Sequence, residues 1–137
     1  MGDLAIQRVV VDTSIIVDYL RRGTATLEQA LLQFECAITA VTLYELRAIT
    51  VRSERQDQLL SRLSSVITVL PFDAQAATLA AEVWRDLAAQ GIGIGLPDTL
   101  IAGTCLAEGI PLLTRNPEHY RRVTGLRVLT PEDLLGT

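Results

Sequence analysis

The chain has 137 residues, 49% of them hydrophobic and 20% charged, which excludes a disordered chain and predicts one compact domain over residues 1–137. The net charge of −4 argues against a general attraction to nucleic-acid backbones. All 12 basic residues are arginine, however, and its planar fork suits phosphates, so Arg21-Arg22 and Arg121-Arg122 are open as local contacts or as plain solvated helix ends.

Arg8-Val-Val-Val-Asp12 opens the chain as a short β-branched run, the pattern of a fully buried strand. Helices are predicted over Ser14 to Leu20 and Thr24 to Glu35, separated by Gly23, and a second strand over Cys36 to Thr39. Thr42 then opens a helix to about Arg52, followed by a helix over Ser53 to Ser65 and a strand over Val66 to Leu70 that Pro71 stops. Asp73 caps an alanine-rich helix reaching Ala89, and Gln90-Gly91 ends it. Gly91, Gly93 and Gly95 alternate with isoleucine in a loop, and Pro97 begins the next helix. Leu112-Leu113-Thr114 is a fourth strand, Arg127 to Leu129 a fifth, and Pro131 to Leu135 a final helical turn.

Short apolar strands alternating with helices predict an α/β architecture, a parallel sheet covered on both faces. Ligand sites in such sheets lie at the carboxyl ends of the strands. Cys36 and Cys105 sit in apolar stretches and read as buried thiols of a reducing compartment, not as a disulfide or zinc site. No apolar run reaches the length of about 18 residues that spans a bilayer, and no basic-then-apolar leader opens the chain, so a cytoplasmic protein without membrane association is expected.

Three acids occupy positions that a core would not choose. Asp12 directly follows Val9-Val10-Val11, at the carboxyl edge of the predicted central strand; capping the next helix is the plain alternative. Glu45 shares a helix face with Val41, Ala48 and Ile49, a face expected to look inward. Thr42-x-x-Glu45 is also a capping box, which offers Glu45 a purely local role. Asp98 heads a stripe continued by Ile101, Ala102 and Cys105; its alternative is a favourable place at the positive end of the helix dipole.

Gathered at one strand edge with no lysine to neutralise them, these carboxylates would repel and raise one another's pKa unless a cation intervened. Hard Mg²⁺ or Mn²⁺ is the natural cation, since no histidine cluster or thiolate set offers a softer site. Such an ion activates water and stabilises charge on a phosphodiester. Thr114 and Asn116 follow the fourth strand and are read either as supports for metal-bound water or, for Asn116 before Pro117, as a helix cap. His119, the single histidine, is left out of the catalytic set because a lone histidine more often serves structure.

Four blocks, Val9 to Arg21, Ile38 to Leu46, Leu96 to Ala102 and Leu113 to Asn116, resemble those of PIN-domain nucleases and occur in the same order. The small size and the Thr114-to-Tyr120 tail are similar to bacterial VapC-type toxins. The resemblance implies a five-stranded parallel sheet flanked by helices on both faces, Mg²⁺ or Mn²⁺ dependence and cleavage of RNA. It assigns Asp12, Glu45 and Asp98 as catalytic, metal-binding acids, with Thr13 or Ser14 and Thr114 in support, beside the supporting place already read for Asn116. Many family members carry a further acid in the tail block; Asn116 and His119 stand there instead, so the resemblance carries over a first ion and leaves one or two ions open. It also implies a homodimer and a VapB-type antitoxin partner covering the acidic groove.

Three rivals share the architecture. A phosphoacceptor receiver domain needs a lysine that the chain lacks, and a dehalogenase-type phosphatase wants a second acid where Ser14 stands. A catalytically silent PIN-like module, binding RNA or protein, is the main alternative, against which the intact set of Asp12, Glu45 and Asp98 argues.

Overall fold

The computed structural model describes residues 7–134. Five strands, β1 (Arg8–Val11), β2 (Glu35–Thr39), β3 (Thr68–Leu70), β4 (Leu112–Leu113) and β5 (Val128–Leu129), form one sheet in the order β3-β2-β1-β4-β5. Every pairing is parallel, with Val9 beside Cys36 and Val11 beside Leu113. The helices are α1 (Thr13–Arg22), α2 (Thr26–Gln33), α3 (Ala40–Glu45), α4 (Glu54–Leu63), α5 (Ala74–Ala89), α6 (Leu96–Glu108) and α7 (Pro117–Tyr120). Among the described residues no helix is long and apolar enough to cross a membrane.

Why β1 is uniformly apolar follows from the two layers it separates. Val9 and Val11 pack with Ile15, Ile16 and Leu20 of α1, Leu27 and Ala30 of α2, and Leu60 and Leu63 of α4. Val10 packs on the opposite face with Val83 and Leu87 of α5 and Ile101, Ala102 and Cys105 of α6. All three valines are fully buried, and each such side chain withdrawn from water contributes on the order of 1.5–3 kcal/mol. A polar residue inside this run would forfeit that gain on whichever face it met.

The alanine-rich character of α5 has a packing cause. Gly103 of α6 lies so close that an added Cβ would stand 2.6 Å from the Ala80 Cβ and 2.7 Å from the Ala76 carbonyl oxygen. Larger side chains on either helix would force the two apart. Asp73 starts α5 as its pattern predicts, accepting the Ala76 N–H at 2.9 Å. At the start of α6, Gly95 occupies φ 90°, a conformation that side-chain-bearing residues rarely adopt, and Leu96 rather than Pro97 is the first helical residue.

The predicted Thr42-to-Arg52 helix is replaced by a different arrangement. The helix α3 begins two residues earlier and ends at Glu45, and a wider π turn occupies Leu46–Thr50. Its signature is the Val51 N–H donated to the Leu46 carbonyl at 2.9 Å, a five-residue step. The extra residue rotates the following face, so Leu46 and Thr50 are buried while Ile49 is 55% exposed and Ala48 lies outside. The inward stripe expected of Ala48 and Ile49 is therefore corrected. Strands β3 and β4 are shorter than their apolar runs, and the final turn is a 3-10 segment over Pro131–Asp133; Leu135 lies outside the described residues.

Strand β1 leads to β2 on one side and is flanked by β4 on the other, so the strand order reverses at the β1–β4 boundary. Such a reversal opens a crevice past the carboxyl ends of the two strands. Asp12 and Thr114 are the residues that immediately follow them.

Candidate active site

Asp12 continues β1 in extended conformation and donates its N–H to the Leu113 carbonyl at 2.9 Å, which anchors it to β4. Although it stands at the cap position of α1, its side chain makes no cap hydrogen bond. The carboxylate instead faces the crevice, where Oδ2 accepts from the Thr114 hydroxyl at 2.7 Å and from the Ser14 hydroxyl at 3.2 Å. Its other oxygen, Oδ1, accepts from the Tyr120 phenol at 3.3 Å. The residue is only 4% exposed. Burial raises its pKa, the Thr114 bond works against this, and the Asp98 charge raises it further.

Glu45 reaches the same crevice from the end of α3. The Thr13 hydroxyl donates to its Oε1 at 2.8 Å and lies 2.9 Å from the Thr42 hydroxyl. A hydroxyl has one proton to give, so with Thr13 committed to Glu45, Thr42 donates to Thr13 in turn. The capping box does not form: α3 is capped by Thr39, whose Oγ1 accepts the Thr42 N–H at 3.0 Å, leaving Glu45 free of a local role. Burial raises the Glu45 pKa, the Thr13 bond lowers it, and the charges of Asp98 and then Asp12 raise it.

Asp98 lies in the first turn of α6, one quarter exposed at its side chain, with Oδ2 2.8 Å from the His119 Nδ1. The chain thus brings the carboxyl edge of β1, the end of α3 and the start of α6 together, and the charge of Asp98 acts on both Asp12 and Glu45.

Support comes from the two strand ends. Thr114 is fully buried; it donates to Asp12 and accepts the Asn116 N–H at 3.0 Å. Asn116 holds the cap position of α7 without a side-chain cap bond, and its contribution to the site is that backbone N–H. Ser14 accepts the Arg115 N–H at the long distance of 3.5 Å. Two residues missing from the sequence-derived set, His119 and Tyr120, are neighbours on α7 and reach Asp98 and Asp12 respectively. Their adjacency after Thr114 was visible in the sequence, but which acids they meet depends on how α7 docks.

The donor set bears on which cation it suits. Among the described residues no three histidine, cysteine, aspartate or glutamate side chains close tightly enough to chelate one ion by themselves. Magnesium commonly binds through one or two carboxylates and keeps several waters, so a looser acidic crevice fits a hydrated hard ion better than it fits zinc. Both thiols are buried among apolar side chains, where burial raises their pKa and keeps them protonated. Among the described residues no arginine pairs with Asp12, Glu45 or Asp98; Arg115 and Arg22 are both directed to Asp18 of α1. Arg21, Arg121 and Arg122 are exposed. A buried carboxylate lacking a cationic partner is costly to keep ionised, and a bound divalent ion removes that cost.

Sheet order, switch-point crevice and facing acids define a class, and the PIN domain profile matches residues 9–126. The chain belongs to the PIN-domain family. It is 34% identical over 128 residues to Ribonuclease VapC1 of Rickettsia felis, covering 89% of this chain and 95% of the relative. Against the tRNA(fMet)-specific endonuclease VapC of Shigella flexneri it is 32% identical over 125 residues, covering 88% and 95%. Among solved structures, VapBC2 from Rickettsia felis bound to a DNA fragment from its promoter superposes with a TM-score of 0.77 at 25% identity, over 90% of this chain and 98% of that one. The DNA-bound VapBC of Salmonella typhimurium shares the fold with a TM-score of 0.83 at 23% identity, over 92% and 99%.

Proposed function

We propose that the chain is a single-domain, divalent-metal-dependent ribonuclease, the toxin component of a type II toxin–antitoxin pair, that Mg²⁺ (or Mn²⁺) is its cofactor and that Asp12, Glu45 and Asp98 hold the ion. One observation carries the site assignment: acids from three separate elements meet in one crevice, where the charge of Asp98 raises the pKa of Asp12 and of Glu45 and, among the described residues, no arginine pairs with any of the three. A bound ion supplies an activated water and neutralises charge developing on the phosphate.

The chain's own groups do the positioning. Thr114 and Ser14 both hold Oδ2 of Asp12, and Thr13 holds Oε1 of Glu45, so two carboxylates are fixed before substrate arrives. Fixed acceptors of this kind spare reorganisation during reaction. The RNA substrate is taken from the relatives' names and the VapB-type antitoxin from the solved VapBC complexes, a homodimer follows the family resemblance, and a cytoplasmic setting is carried over from the sequence expectation.

The test is cleavage of RNA by purified protein with Mg²⁺ and after chelation. Asp12→Asn and Asp98→Asn each abolish metal-dependent cleavage while the protein stays folded, as judged by circular dichroism. Cleavage at the wild-type rate by either variant removes that residue from the site.

A further inference from the structure

Helix α7 is four residues long, yet two of its side chains, consecutive in sequence, bond to two different acids of the crevice. Tyr120 is fully buried and reaches Asp12. His119 is half exposed and reaches Asp98, with Nδ1 2.8 Å from Oδ2. We infer that His119 is a positioning residue, which fixes the Asp98 carboxylate by an Nδ1–H hydrogen bond and so sets the affinity of the crevice for a divalent cation; this rests on the metal-dependent reading above.

The chemistry assigns the direction of that bond. An ionised carboxylate only accepts, so Nδ1 carries the proton of this bond. The need for a tether follows from where Asp98 sits. It lies two residues after Leu96 at the start of α6, preceded by the glycine-rich stretch from Gly91 to Gly95, and Leu96 and Pro97 beside it are exposed. Asp12 has the Thr114 and Ser14 hydroxyls to fix it and Glu45 has Thr13, whereas the short bond to Asp98 comes from the imidazole, with the Tyr120 phenol, shared with Asp12, as a second partner. With Oδ2 committed to the ring, the carboxylate is restricted to presenting its other oxygen. Groups that orient ligands in this way matter nearly as much as the ligands: removing one costs about 10–100-fold in metal affinity or activity.

A ligand role for His119 itself is the competing assignment, and substitution separates the two. In asparagine the Nδ2 amide nitrogen occupies nearly the place of the histidine Nδ1 and donates, but it does not ligate as imidazole does. Mn²⁺ binding to the full chain is measured by the electron paramagnetic resonance signal of free Mn²⁺ for wild type, His119→Ala and His119→Asn. The expected result is an apparent Kd raised about 10-fold in His119→Ala and restored to within about twofold of wild type in His119→Asn. Because His119 is half exposed, all three proteins share one melting temperature without metal. Equal Mn²⁺ affinity in wild type and His119→Ala overturns the inference, as does binding by His119→Asn no tighter than by His119→Ala, or a wild type that takes up no Mn²⁺. RNA cleavage by the wild type is followed in parallel: Mn²⁺ uptake that depends on His119 as described, without cleavage, leaves the positioning role intact and defeats the nuclease reading alone.

Discussion

Asp12 is bonded by three hydroxyl groups and yet keeps a raised pKa, because burial outweighs the bonds and Asp98 adds repulsion. The sign of the linked stability is determined by that direction. Below the ordinary aspartate value of 3.8, folded and unfolded chains both carry the proton and the folded state has its full stability. As pH rises the unfolded chain releases its proton first, so stability falls until the folded-state carboxyl ionises as well. Asp12→Asn removes this titration. Without divalent ions, the urea midpoint of the variant gains on that of wild type as pH rises above 3.8, until the folded-state carboxyl ionises, and Mg²⁺ narrows the margin at the higher pH. A margin that shrinks as pH rises removes the repulsive crevice from consideration. The acids themselves were legible as residues: Asp12 after a buried valine run and Asp98 heading an apolar stripe stand out without any structure. The role of His119 was not, since a lone histidine on a four-residue helix shows its partner only once α7 and α6 are docked.

At the scale of elements, the capped and strongly patterned segments matched their sequence signals and the irregular one did not. Asp73 caps α5 as expected, and the valine run is β1. Glu45 was assigned its neighbours on a regular 100° wheel, but the π turn after it breaks that periodicity, and no local residue pattern announces the extra residue. Thr42 misled for a related reason, being inside α3 and bonded to the true cap, Thr39. The tightest element contact is that of α5 with α6 at Gly103. Gly103→Ala places a methyl group against the Ala80 Cβ and the α5 backbone, where neither can yield as a flexible side chain would. The expected cost is about 1–3 kcal/mol, read as a lowered denaturation midpoint. An exposed helical glycine would instead gain up to about 1 kcal/mol from the same change, so stabilisation would show that the two helices part freely.

The whole molecule is a sheet between two apolar layers, and each layer holds one thiol. Cys36 belongs with Val9, Val11 and the helices α1, α2 and α4; Cys105 belongs with Val10, α5 and α6. Burial pushes the Cys36 pKa up to about 11 and that of Cys105 higher still. Both thiols therefore resist a thiolate-selective reagent in the native protein and react when the chain is unfolded, each reporting on the opening of its own layer. Rapid labelling of either under native conditions would mean that its layer opens without global unfolding.

The hydrogen bond from Thr114 to Asp12 joins residues 102 positions apart, and it connects the two strands whose ends frame the crevice. A ribosome making this protein releases Asp12 and Glu45 early, but β4 cannot pair with β1 on that side until Leu112 and Leu113 have been made. At roughly 5–20 residues per second, the interval is on the order of seconds. During that time the nascent chain has acids but no Thr114, Tyr120 or His119 to arrange them. A crevice built in this way is not assembled until the strand that closes it has been made.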